Sequence, residues 1–187
     1  PGWKVIGVSD FFDSQVDEDL VSSKSLHGFT INTFWPGKSD DWQSQVDASL
    51  KSVNFVEVSR EKGNTKSYPI GTTAVARVDD QKLLFVALSK ADSQNNVTTS
   101  SVEELVCAVR GALRKARAVC SLEPLSIPLM GSGLARIGAN PSVLTDLILA
   151  AVLEEARISK IRNEITIVLP VALKHRINLR HYQERWS

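Results

Sequence analysis

The stretch Ser126-Ile127-Pro128-Leu129-Met130-Gly131-Ser132-Gly133-Leu134-Ala135-Arg136-Ile137-Gly138-Ala139-Asn140-Pro141 decides the fold, because in it an apolar run breaks into a glycine loop and then reaches a helix start. Residues 125–130 read as a strand. Asn140 is a natural helix cap, and Pro141 takes the first helical position, where a missing N–H is harmless. Val143, Leu144, Leu147, Ile148, Ala151 and Val152 then recur at helical spacing. Strand, glycine loop and helix in that order put the loop at a strand's carboxyl end, where open α/β sheets bind ligands. Glycines let backbone N–H groups approach a ligand closely, and the unpaired N–H groups of the next helix favour negative charge. The pattern predicts a phosphate site. A dinucleotide fingerprint would want a third glycine where Arg136 stands, which weakens a NAD-type reading.

Working outward, residues 165–169 form a further apolar strand after the helix. Upstream, Ser100 with Glu103 has the spacing of a capping box, followed by Val102, Leu105, Val106, Val109, Ala112, Leu113, Ala116 and Val119 at helical spacing. Residues 72–78 and 82–89 read as two strands joined at Asp79-Asp80, and residues 54–59 alternate as another. Ser39-Asp40-Asp41 looks like a helix cap, with Trp42, Val46 and Leu50 on one face. Ser25-Leu26-His27-Gly28 reads as a turn, and residues 5–8 as a short buried strand running into an acidic loop. Strand and helix alternate in the second half, which predicts a three-layer α/β/α fold around a central mixed sheet.

The 187 residues are 43% hydrophobic and 23% charged, enough for one full core and short for two, so one domain is expected over residues 1–187. A net charge of +1 supplies no basic field of the kind that holds nucleic acid by counterion release, so no nucleic-acid partner is expected. Cys107 and Cys120 both fall in the helical pattern, which suggests a reducing, cytoplasmic setting rather than a disulfide framework. No apolar run approaches the ~20 residues that span a bilayer. The chain opens at Pro1 with a strand close behind, and the expectation is a domain excised from a longer protein whose N-terminal segment has been removed.

His27, His175 and His181 lack metal-ligand spacing, and Asp10, Asp13, Asp17 and Asp19 lack the glycine and terminal glutamate of an EF-hand, so no metal or cofactor is expected. Ser132 reads as a nucleophile or, more modestly, as a hydroxyl that hydrogen-bonds a ligand; no nucleophile elbow surrounds it. Arg136 reads as a bidentate phosphate donor or a solvated loop arginine. His27 is either a ligand contact or a core histidine. Phe11 and Phe12 could stack on a base or fill the core. Arg110, Arg114, Lys115 and Arg117 form a basic helix face whose default reading is solvation.

Taken together, the pieces resemble a macro domain, the ADP-ribose-binding α/β/α module. Tyr68-Pro69-Ile70-Gly71-Thr72-Thr73-Ala74 resembles the family's "C-P-x-G-E-A" segment, and Pro128-Leu129-Met130-Gly131-Ser132-Gly133-Leu134 resembles its phosphate loop, in the same order along residues 4–170. The resemblance implies that Gly131, Ser132 and Gly133, with Leu134 and Ala135, wrap a diphosphate and distal ribose, flanked by Met130 and Arg136. It implies that an early loop embraces the other side of the ligand through Ser9, Asp10, Phe11, Phe12 and Asp13, then Lys24, Ser25, Leu26, His27 and Gly28. Family hydrolases carry Asn-Ala-Ala-Asn and a glycine triplet in that loop, whereas this chain has Gly7-Val8-Ser9-Asp10 and Ser25-Leu26-His27-Gly28. Without those asparagines no catalytic residue is expected, and the module binds rather than cleaves. The alternative is an ADP-ribosyl hydrolase in which Asp10 or Asp13 positions water.

More narrowly, Val5-Ile6-Gly7-Val8, Phe11-Phe12-Asp13, Ser25-Leu26-His27-Gly28 and the run from Pro128 to Gly138 look like the divergent macro domains of bacterial anti-phage Thoeris effectors. That resemblance implies a sensor for an ADP-ribose-derived signal made by a partner TIR-domain enzyme, with histidine-linked ADP-ribose as the best-fitting candidate. It also implies self-association on signal binding. Membrane-spanning helices ahead of the domain would anchor the full-length protein in the bacterial inner membrane.

Overall fold

The computed structural model describes residues 2–133, 137–159 and 164–177, together with Arg180, Tyr182 and Glu184. In chain order the elements are β1 (Trp3–Ser9), α1 (Leu26–Phe34), α2 (Ser39–Leu50), β2 (Val56–Glu57), β3 (Lys66–Ser67), β4 (Thr73–Val78), β5 (Gln81–Ala91) and β6 (Thr98–Thr99). They continue with α3 (Val102–Val119), β7 (Leu125–Pro128), α4 (Pro141–Ile158), β8 (Ile165–Val168) and a 3-10 turn (Val171–Arg176). The main sheet has the order β4-β5-β1-β7-β8, with β6 paired to β5 and a separate two-stranded sheet from β2 and β3. β1 runs parallel to β5 and β7, β7 parallel to β8, and β4 antiparallel to β5.

Side-chain alternation along the strands builds the three layers. On β5, Leu84, Val86 and Leu88 turn to one face, and Leu83, Phe85 and Ala87 to the other. The first face packs under α3 and α4 through Leu105, Val109, Leu113, Leu144 and Ile148. The second packs under α1 and α2 through Ile31, Trp42, Val46 and Leu50. Both faces are dry, as the α/β/α expectation required.

Four local expectations are corrected. Ser25-Leu26-His27-Gly28 opens a helix instead of turning the chain: the Ser25 hydroxyl accepts from Gly28 N–H at 2.9 Å and caps α1. Of residues 54–59 only Val56–Glu57 pairs, and both of these residues are exposed. The capping box lies one residue later than expected, with Ser101 and Glu104 exchanging bonds. Ser100 Oγ instead donates to Leu88 O at 2.8 Å. In α2 the cap position is Lys38, and Ser39 is already helical.

The basic face of α3 is not simply solvated. Arg110, Arg114 and Arg117 all reach the Glu155 carboxylate of α4 at 2.8–2.9 Å, and Glu155 is fully buried. Burial alone would raise its pKa, yet the three guanidinium hydrogen bonds hold it down to about 2. The cluster is an ionic clamp between the two helices on one face of the sheet.

Candidate functional site

The glycine loop leaves β7 through a tight turn. Met130 N–H donates to Pro128 O at 2.7 Å, and Ser132 Oγ donates to Leu129 O at 2.9 Å. Gly131 sits at φ +84°, a left-handed conformation that side chains rarely adopt, and a Cβ there would lie 2.4 Å from Ile137 Cδ1. A Cβ on Gly133 would meet nothing within 4 Å among the described residues. Asn140 Oδ1 then accepts from Ser142 N–H at 3.0 Å, capping α4 with Pro141 at its first turn. Loop and helix start enclose a cavity of about 350 Å³ whose walls include Gly131, Ser132, Gly133, Gly138, Pro141 and Arg176. The positive end of α4 therefore faces the cavity that the glycines line. Leu134, Ala135 and Arg136 lie outside the described residues.

Since β1 and β7 are parallel neighbours, the early loop leaves the same edge of the sheet. Its residues are stitched into the protein. Asp10 accepts from Ser67 Oγ at 2.6 Å and from Ala91 N–H at 2.9 Å. Asp13 pairs with Arg60 at 3.1 Å and accepts from Asn64 N–H at 2.7 Å, with both charged side chains almost fully buried. Burial outweighs these bonds and lifts the Asp13 carboxyl above its ordinary range. Asn64 Nδ2 also donates to Phe11 O and Phe12 O. Phe11 is buried beneath the Arg60 guanidinium at 3.9 Å, and Phe12 is fully buried, edge-on to Tyr68, at φ +51°. A non-glycine residue held there stores backbone strain of about 1–3 kcal/mol. Further along, Asp17 and Asp19 share Lys62.

Ser9 is buried, Lys24 and Leu26 are exposed, and Ser25 is taken up as the α1 cap. Gly28 abuts Ser22, whose carbonyl oxygen would lie 2.3 Å from a Cβ. His27 is buried beside Trp42 and Phe85, and burial pushes its imidazole down to about 3. Among the described residues, the walls of the 350 Å³ cavity come from the glycine loop, the start of α4 and the 3-10 turn, and none from residues 9–28. The sequence reading missed Arg176, which stands far from the loop along the chain and carries no motif. It also missed Glu155, hidden as an ordinary helical glutamate.

A larger cavity, about 520 Å³, lies between α3 and the segment leading into β4, lined by Ile70, Gly71, Thr72, Cys107, Arg110 and Arg114. The Arg110 and Arg114 guanidiniums already serve Glu155, so the glycine-loop cavity is the better anion site. No group of metal-ligating side chains occurs among the described residues, and no helix among them is long and apolar enough to cross a membrane.

The sequence profile described as "Thoeris protein ThsA, Macro domain" matches residues 1–170. The Thoeris protein ThsA of Bacillus amyloliquefaciens (strain Y2) is 24% identical over 177 residues, an alignment that covers 89% of this chain and 57% of the relative. The chain thus spans little more than half the length of that protein. The match covers most of the chain, whose strands and helices form the layered sheet described above, and the chain belongs to the ThsA macro-domain family.

Proposed function

We propose that this domain is the sensor of an anti-phage effector and captures an ADP-ribose-derived nucleotide signal without cleaving it. The observation that carries the reading is the cavity between Gly131–Gly133 and the start of α4, where free space, a glycine backbone and a helix N-terminus coincide. Its described walls are glycine, serine, alanine, proline, leucine and arginine, a lining suited to phosphate. Asp10 and Asp13, the carboxylates of the hydrolase alternative, are committed to Ser67, Ala91, Arg60 and Asn64.

In this reading the signal is made by a TIR-domain enzyme, and histidine-linked ADP-ribose is the leading ligand. The domain forms part of a longer effector whose N-terminal segment anchors it to the inner membrane. Signal capture can activate the effector only if an assembled or active state binds the ligand better than the resting one, so self-association is expected to accompany binding.

The test is calorimetric titration of the wild type and Gly131→Glu with ADP-ribose, NAD and amino-acid-linked ADP-ribose, followed by product analysis. Gly131→Glu drives a Cβ against Ile137 and Leu144 and adds a negative charge to the loop, and binding is expected to disappear. The ligand is expected to be recovered intact. Equal affinity in the variant would refute the site; steady turnover would refute the sensor.

A further inference from the structure

We propose that Arg176 closes the cavity over the ligand's phosphates, so that a diphosphate is gripped by the glycine loop from one side and by a guanidinium fork from the other. The inference rests on the diphosphate reading of this cavity and names its missing cation. Arg176 ends the 3-10 turn after β8 and lines the same cavity as Gly131, Ser132 and Gly133. It is exposed, and its guanidinium has no partner among the described residues. Arg60, Arg110, Arg114 and Arg117 differ, each being engaged by a buried carboxylate.

Its backbone, in contrast, is fixed. Ser142 Oγ, in the first turn of α4, donates to Arg176 O at 2.8 Å. Tyr182 OH donates to Ser142 O at 2.9 Å, and Leu173 of the same 3-10 turn also lines the cavity. Arg176 is therefore a long, charged arm on a fixed base. Backbone N–H groups of a glycine loop reach phosphate oxygens from one direction only, and two adjacent phosphoryl groups leave outward oxygens that need a second donor. Arginine's planar fork matches that geometry, and a charge-assisted bidentate contact is among the stronger hydrogen bonds. The favoured ligand class is a nucleoside diphosphate sugar, and a ligand lacking the second phosphoryl group loses most of what Arg176 adds.

The experiment is calorimetric titration of ADP-ribose into the wild type, Arg176→Ala, Arg176→Lys and Gly131→Glu at low and high salt. Arg176→Ala is expected to weaken binding tenfold or more and to flatten its salt dependence, with Arg176→Lys falling between, because lysine restores the charge but not the fork. Arg176→Ala binding within twofold of wild type, with unchanged salt dependence, while Gly131→Glu fails to bind, would overturn the role of Arg176 and leave the cradle standing. If the wild type binds no better than Gly131→Glu, the cradle falls and this proposal with it. Urea midpoints check folding; should Arg176→Ala prove unstable, Arg176→Lys is judged by the same twofold limit.

Discussion

At the scale of single residues, His27 shows how the core sets the charge of a side chain. It lies between α1 and the sheet with its ring 5.2 Å from that of Trp42, and Nε2 of His27 and Nε1 of Trp42 are both buried without a hydrogen-bond partner among the described residues. Desolvation disfavours the imidazolium and brings the pKa from 6.5 to about 3. The unfolded chain takes up this proton near pH 6.5 and the folded chain only near 3, so the folded state loses ground as pH falls between them. The expected slope approaches about 1.4 kcal/mol per pH unit below 6. Urea unfolding at pH 7, 6 and 5 should reveal it, and His27→Leu should flatten it; a wild-type profile level from 7 to 5 would contradict the burial. Glu155 acts in a lower window, because its folded pKa of about 2 lies below the unfolded value of ~4.3, and its stabilisation is lost as pH falls from the second toward the first.

At the scale of elements, two glycines let α3 lie close against its neighbour. A Cβ on Gly111 of α3 would stand 2.0 Å from Gly71 O, so the helix lies directly against the segment that feeds β4. Alanine in a helix interior normally gains about 1 kcal/mol over glycine. Here the overlap is with backbone, which cannot swing aside, and Gly111→Ala is expected to destabilise by about 1–3 kcal/mol net, read from the urea midpoint. A stabilised variant would mean that α3 stands off further than described. This contact also shows the limit of sequence patterns. The hydrophobic spacing of α3 and the Asn140-Pro141 start of α4 were legible because they are local and periodic. α1 was not, since Gly28, Thr30, Asn32 and Thr33 are poor helix formers and only the Ser25 cap and packing on the sheet hold it. The Gly71–Gly111 contact, the Glu155 clamp and the placement of Arg176 join residues distant in sequence, and no spacing rule announces them.

At the scale of the whole molecule, the three layers were readable from strand and helix alternation, and the glycine loop fell where a parallel sheet puts such loops. The early loop is expected at the ligand because the family resemblance puts one there, and what the sequence did not show is how far Asp10, Phe11, Phe12 and Asp13 are buried and bonded within the protein. The layered core makes a prediction about its two thiols. Cys107 is exposed, whereas Cys120 is buried among the residues joining β1, β5, α3 and α4, and its thiol is pushed up to about 12. One thiol per chain should react promptly with an excess of a thiol reagent at neutral pH, the second only as denaturant unfolds the protein. Two prompt thiols would mean that the layer above the sheet opens readily. The central place of β1 has a consequence for biosynthesis. Trp3 aligns with Lys82 on one side and Leu125 on the other, so β1 leaves the ribosome well before either of its partners. Until they follow, its apolar residues stay exposed, and a chaperone that shields nascent β1 should raise the yield of folded protein.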